Sequence, residues 1–423
     1  RLRSRGLGDV YKRQGVIEMK QAIQLKENMY WVGVHDFNCR HFHGDLFPIS
    51  EGTTYNSYLI VDEQITLIDT VEEEFFDIMM ERIHSIIGDK PIDNVIVQHA
   101  EPDHSGGFVK FMQAYPNAQP YTSNAGVKIM LKQYFKEYDY HKVKTGDTLC
   151  TGDYTLTFVE MPMIHWPDNM LTYVDKANIV FSNDAFGQHI ASYDIFDDAH
   201  GLAKCIDRAK DYYANIVMPY GMQVANKLKQ IQEMGLPIDM IAPAHGIIWR
   251  TYIKELFDAY QEFATFAAKD KVVIVYESVW KHTQMMAEAL AEGLGRNGIC
   301  VKIFKCSLTS PAIIMKELLD AKAILVGSGN YNNAMAPSIA AFLEKLASCK
   351  VKNKKALGFG SYGWADVVTK QVNERLVRAG LPLLQDGVVS QNYTPTQEDL
   401  DALMELGLSL IHISEPTRPE PIS

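Results

Sequence analysis

Between Gln98 and Gly107 the chain reads QHAEPDHSGG, which places His99, Glu101, Asp103 and His104 within six residues. Imidazole and carboxylate at that density are the donor types of a transition-metal site. A turn after an apolar strand brings the alternate side chains 99, 101 and 103 together. Pro102 stiffens such a turn, and Gly106 and Gly107 are expected to let the backbone swing away into a following helix. Three more donors each follow an apolar run: His165 in MIHWPDN, Asp184 in FSNDAFG and His245 in APAHGI. A single histidine after a strand is usually a hydrogen-bonded loop residue, and Asp103 alone would serve as a helix N-cap. Four loops carrying such donors, one of them H-x-E-x-D-H, point instead to a metal centre.

A different chemistry is written near the end of the chain. The dense β-branched run Val272–Tyr276 leads into ESVWKHT and then a helical pattern. A hydroxyl-bearing loop between a strand and a helix N-terminus holds phosphate, because outward N–H groups and the helix dipole favour an anion. Ser278 and Thr283 add hydroxyls there, Lys281 or His282 a charge or donor, and Trp280 a flat ring. Two later loops also start at strand ends: GSGNYNNAMAP, with Gly329, Asn330, Tyr331, Asn332 and Asn333, and GFGSYG, with Ser361, Tyr362 and Gly363, followed by Trp364. Glycines allow close backbone approach, amides suit ring edges, and the aromatic residues suit stacking on a flat ligand.

The elements that must position these residues come in two textures. The first part shows short apolar strands (56–61, 65–69, 94–98, 154–160, 171–175, 179–183) mixed with helices at 73–87, 202–214 and 224–234. That order predicts helix layers on sheet. After the lysine-rich junction AAKDK, strands at 272–276, 301–305, 323–327 and 356–360 alternate with helices at 284–295, 337–346 and 367–379. Such alternation predicts βαβ units and a doubly wound parallel sheet. The boundary is expected near residue 268, giving domains 19–268 and 269–407. The segments 1–18 and 408–423 resemble translated read-through of sequencing adapters and are expected to be non-native or disordered.

With a net charge of −11, nucleic acid and acidic membrane faces are poor partners. The six cysteines include no C-x-x-C pair, which disfavours a zinc ribbon, an internal rubredoxin site or a thioredoxin motif. Scattered thiols suggest the cytoplasm. No apolar run approaches the ~20 residues of a membrane helix, and no signal-peptide pattern opens the sequence.

The set His99-x-x-x-Asp103-His104 with His165, Asp184 and His245 resembles the metallo-β-lactamase superfamily. Glu101, where that superfamily usually has histidine, is similar to one branch of it, the flavo-diiron proteins, also called A-type flavoproteins. The swap puts an anionic oxygen where a neutral imidazole would be, which favours iron over zinc. The three later loops resemble those of the flavodoxin fold around FMN. Asn330, often threonine in the family, and Ala365–Asp366–Val367, often glycine-rich, depart from it.

The resemblance implies an α/β protein: an αββα lactamase-like sandwich followed by a flavodoxin-like sheet. It implies His99, Glu101 and His165 on one iron, Asp103 and His245 on the other, and Asp184 bridging, with His104 a weaker candidate. It places His43, in RHFHGDLFP, and Tyr212, in AKDYYAN, near the irons as hydrogen-bond or proton donors. FMN would pass electrons to the iron pair of a head-to-tail homodimer, which reduces O2 or NO. The expected donor is a separate rubredoxin or a reduced deazaflavin. The rival readings are a dizinc hydrolase fused to a flavodoxin domain, which would work without flavin, and a flavodoxin-type electron carrier.

Overall fold

The structure is a computed structural model and describes residues 21–44 and 46–410. The segment 1–18 and residues 411–423 of the closing tail lie outside the described residues. The last helix, Gln397–Ser409, continues past Gly407, and Leu410 is buried in a hydrophobic cluster. By spatial contact the chain divides into two compact units. One holds residues up to Asn38, Glu51–Ala199 and Pro237–Arg250; the other holds Cys39–Ser50, His200–Leu236 and the chain from Thr251.

In the first unit, short runs of apolar and β-branched residues make two sheets. The larger has seven strands in the order 23–26, 29–31, 58–61, 65–68, 94–96, 119–123, 141–143; the smaller has five, in the order 148–150, 155–160, 170–174, 179–183, 240–243. Their inner faces supply one core, with Trp31, Ile60, Ile68 and Ile96 from the first sheet and Phe158, Met170, Phe181 and Met240 from the second. Each such side chain contributes about 1.5–3 kcal/mol on burial. This is the lactamase-like sandwich.

The strands bearing the site run parallel in pairs, 65–68 with 94–96 and 179–183 with 240–243, so the chain leaves each pair at a common end. Asp69 and Asn183 take left-handed φ values of 55° and 51° there, a conformation that Asp and Asn tolerate better than most residues.

One local expectation is corrected. Pro102–Ser105 forms a short helix with Pro102 in its first turn. Gly106 and Gly107 have ordinary helical φ values of −58° and −75°, so they do not supply an unusual turn. Gly106 is required by space: a Cβ would sit 2.5 Å from the Pro102 carbonyl oxygen and 2.8 Å from the Glu73 nitrogen.

The second unit contains five strands in the order 300–305, 269–277, 321–329, 355–362, 389–392, all parallel. Numbered along the chain, that order is 2-1-3-4-5, the flavodoxin-like arrangement. Val272–Val275 are wholly buried, as expected of a central strand with both faces covered. Helix His282–Arg296 lies so close to Gln397–Ser409 that a Cβ on Gly293 would come within 2.1 Å of the Met404 carbonyl oxygen. Among the described residues no helix is long and apolar enough to cross a membrane.

Candidate metal centre and flavin cradle

Four loops at strand ends bring all seven predicted donors of the first unit together. His99, Glu101, His165 and Asp184 form one group and Asp103, His104 and His245 another; within each, the ligand atoms lie within 4.8 Å of one another. Glu101 Oε2 is 3.2 Å from both His99 Nε2 and His165 Nε2. Asp103 Oδ2 is 3.1 Å from His245 Nε2.

Asp184 faces both groups with different oxygens. Its Oδ2 lies 3.6 Å from His99 Nε2 and 3.3 Å from His165 Nε2; its Oδ1 lies 3.0 Å from His104 Nε2 and 3.6 Å from His245 Nε2. His104, ranked below the others in the sequence, therefore sits as deep in the second group as Asp103 and His245.

Three carboxylates and four imidazoles, nearly all buried, are a costly assembly unless a cation or bound protons compensate their charge. Burial pushes the His99 and His165 imidazoles down, yet the facing carboxylates (Asp168 and Glu101 for His99, Asp184 and Glu101 for His165) hold both at about 10. His104 is likewise held at about 9 against burial, by Asp103 and Asp184. Burial would raise Asp184, but His104 and its neighbours keep it well below the usual carboxylate range. Protons on the rings thus stand where divalent cations would. Asp103 Oδ1 is buried and makes no hydrogen bond. This donor set fits two metal ions.

Residues behind the donors fix how they point, and the sequence reading missed them. Asp168, fully buried, lies 3.1 Å from His99 Nδ1 and accepts from the Ala100 N–H at 2.7 Å. His245 Nδ1 lies 2.7 Å from the Thr54 carbonyl oxygen. A carbonyl can only accept, so Nδ1 carries the proton and Nε2 is left to bind metal. Asp69 accepts from the Gln98 N–H at 2.7 Å, from Gln98 Nε2 at 3.0 Å and from Asn183 Nδ2 at 3.1 Å. One carboxylate thereby ties the residue before His99 to the residue before Asp184. The D in WPDN was the one available signal for Asp168; a backbone carbonyl such as that of Thr54 has none.

The predicted proton donors both fall in the second unit. Tyr212 closes helix Leu202–Tyr212 and is buried; His43 is exposed, with φ 50°.

The flavin-loop residues gather at the C-terminal ends of the parallel strands of the second unit. Thr283 is fully buried, and its Oγ1 lies 2.8 Å from Ser361 Oγ, joining the first loop to the third. Asn330 donates its backbone N–H to the Ser361 carbonyl at 2.9 Å and its side-chain amide to the Ala365 carbonyl at 2.6 Å; this is what asparagine does where the family often has threonine. Lys281, Asn332 and Asn333 adopt positive φ values of 70°, 53° and 61°. Gly329 faces the Thr283 and Ser361 hydroxyls, with a virtual Cβ 3.5 and 3.8 Å away.

Ser278 is buried and Tyr362 half-buried, while Trp280, Tyr331 and Trp364 are 80%, 51% and 86% exposed. Large rings left in water around a polar floor suit a flat ligand with a phosphate tail. A fourth wall escaped the sequence reading. Asn392 donates to the Gly363 carbonyl at 2.6 Å, Thr394 Oγ1 lies 3.0 Å from His282 Nε2, and exposed Tyr393 borders Gly363.

Known proteins share both halves. Residues 53–246 match the ODP family beta lactamase domain and residues 274–407 the flavodoxin domain. A nitric oxide reductase of Moorella thermoacetica is 40% identical over 390 residues, 92% of this chain and 98% of that one. An anaerobic nitric oxide reductase flavorubredoxin of Vibrio vulnificus is 38% identical, over 85% of this chain and 74% of its own. The solved structure of rubredoxin oxygen:oxidoreductase from Desulfovibrio gigas superposes with a TM-score of 0.89 at 35% identity, covering 92% of this chain and 98% of that one.

Proposed function

The chain belongs to the flavodiiron family, and from that premise we propose that it takes electrons through FMN and reduces O2 to water, NO to N2O, or both, at a non-haem iron pair. The observation that carries this reading is the placement of Asp184, one oxygen toward each donor group. A carboxylate so placed holds two metals close enough to share one small substrate. Glu101, Asp103 and Asp184 supply anionic oxygen, which favours iron over zinc and steadies its oxidised state.

When bound, the flavin supplies conversion of electron pairs into single electrons, and the irons supply diatomic binding and reduction. The chain's own groups set the rest. His99, Glu101 and His165 would hold one iron and Asp103, His104 and His245 the other, with the Asp168 carboxylate and the Thr54 carbonyl fixing two of the rings. Ser278, Thr283 and the N–H groups that open helix His282–Arg296 would hold the FMN phosphate, while Trp280, Tyr331, Tyr362 and Trp364 would cover the ring. We assign residues 19–268 to the metal half and 269–407 to the flavin half.

His43 and Tyr212 are the proposed proton donors, on the strength of residue type and motif position. His43→Asn and Tyr212→Phe should each slow turnover while leaving iron and FMN content intact; unchanged rates would remove them from the mechanism.

The proposed partners are a second copy, head to tail, and a separate rubredoxin or a reduced deazaflavin as donor. A relative whose name couples rubredoxin to oxygen supports the first of these donors. Six cysteines scattered along the chain without a C-x-x-C pair support a reducing compartment, the cytoplasm.

The test is metal and flavin content after anaerobic purification, followed by O2 and NO consumption. We expect two irons and one FMN per chain. Two zincs with little flavin, and ester or thioester cleavage without it, would sink the redox reading.

A further inference from the structure

The loop 166–169, WPDN, meets His99 twice. Asp168 lies at its Nδ1, and the Trp166 ring stands nearly perpendicular to its imidazole, with centres 5.0 Å apart and planes at 85°. The same indole meets His165 in the same manner, at 6.1 Å and 76°. Among the described residues these two imidazoles are its ring partners, and both belong to the first donor group.

The indole is itself held in place. The Trp166 N–H donates to Asn169 Oδ1 at 2.7 Å, and its carbonyl accepts from the Met163 N–H at 2.7 Å. Asn169 Nδ2 donates to Asn183 Oδ1 at 3.2 Å, which ties the loop to the residue before Asp184. Trp166 is half-buried and packs on the more open side of the centre. The Glu101 and His165 side chains are 15% and 10% exposed, those of His104 and His245 1% and 0%.

An imidazole binds metal through a lone pair in the plane of its ring, so a ring that turns about its Cβ–Cγ bond loses the ion. That torsion is broad unless neighbours restrict it. Perpendicular packing restricts it, because turning drives ring atoms into the indole. We propose that Trp166 is a positioning residue for the first metal position alone, holding the His99 and His165 rings at the angle from which both Nε2 atoms meet one ion. The assignment rests on the two-metal reading of the site.

The test is an iron-edge anomalous difference map of iron- and FMN-loaded crystals, which gives the occupancy of each position, beside competition with a chelator in solution. Wild-type protein should show both positions filled. Trp166→Leu, apolar but ringless, should weaken iron at His99, Glu101 and His165 about tenfold, the lower end for groups behind a metal ligand, and leave the other position filled. Trp166→Phe keeps a smaller ring and should weaken the same position about threefold, so it carries the test if Trp166→Leu does not fold. FMN content should be unchanged in both. Equal loss at the two positions, loss at the second alone, or wild-type affinity in both variants would overturn the assignment. Two empty positions in wild-type protein would overturn the two-metal reading along with it.

Discussion

The metal centre and the flavin cradle answer one design problem in opposite ways. At the metal centre the ligand-bearing side chains are almost all buried and pre-aimed by further buried groups, Asp168 behind His99 and the Thr54 carbonyl behind His245. At the cradle only the floor is buried, Thr283 against Ser361, while Trp280 and Trp364 stand in water. The first site carries charge that must be neutralised; the second carries apolar surface that must be covered. Loss of the ligand should therefore appear as an electrostatic penalty in one unit and as exposed aromatic surface in the other.

The largest separation of the two sites should come from Asp184→Ala. It removes the one carboxylate that faces both donor groups, so iron and turnover should fall by about a hundredfold or more while FMN stays bound. Elemental analysis beside flavin absorbance reads both, and an iron-replete active variant would overturn the ligand assignment.

Chelation should expose the electrostatic difference through pH. In metal-free protein His99 and His165 sit at about 10 and His104 at about 9, above the unfolded value near 6.5. Raised histidine pKa values stabilise fully below the unfolded value and lose that contribution as pH climbs through the folded one. The melting temperature of metal-free protein should accordingly drop between pH 7 and 10, more steeply than that of loaded protein. Parallel slopes would mean that the protons do not replace the metals.

Asp168→Asn keeps the shape but weakens the anionic partner of His99 Nδ1. A 10–100-fold loss of metal affinity is expected, with FMN affinity unchanged, measured by competition with a chelator. The smallest effect belongs to the cradle: Trp364→Ala should weaken FMN binding by roughly tenfold or less, the scale of one stacked ring, and leave iron content alone. Loss of iron in that variant would show that the two sites do not load separately.

Both folds were readable because their periodicities are strong. Val272–Tyr276 announces a buried parallel strand, and the donors advertise themselves by following apolar runs at 99, 165, 184 and 245. What escaped depends on contacts distant in sequence. Asp168 matters because it meets His99, 69 positions earlier, and Asp69 because it meets both Gln98 and Asn183. Tyr393 enters the cradle only when the last strand, Val389–Asn392, lands beside 355–362. Gly106 was noticed for the wrong property: crowding by Pro102 and Glu73, not backbone freedom, excludes a side chain there.

The placement of Asp184 also bears on how such a chain changes over generations. Because one carboxylate faces both donor groups, a change at 184 would disturb both proposed metal positions at once. A single codon change at 184 would empty the first unit and leave the flavin unit intact, turning a terminal reductase into a carrier in one step. Recovery would need that same position restored while every other donor had survived the interval without selection to keep it.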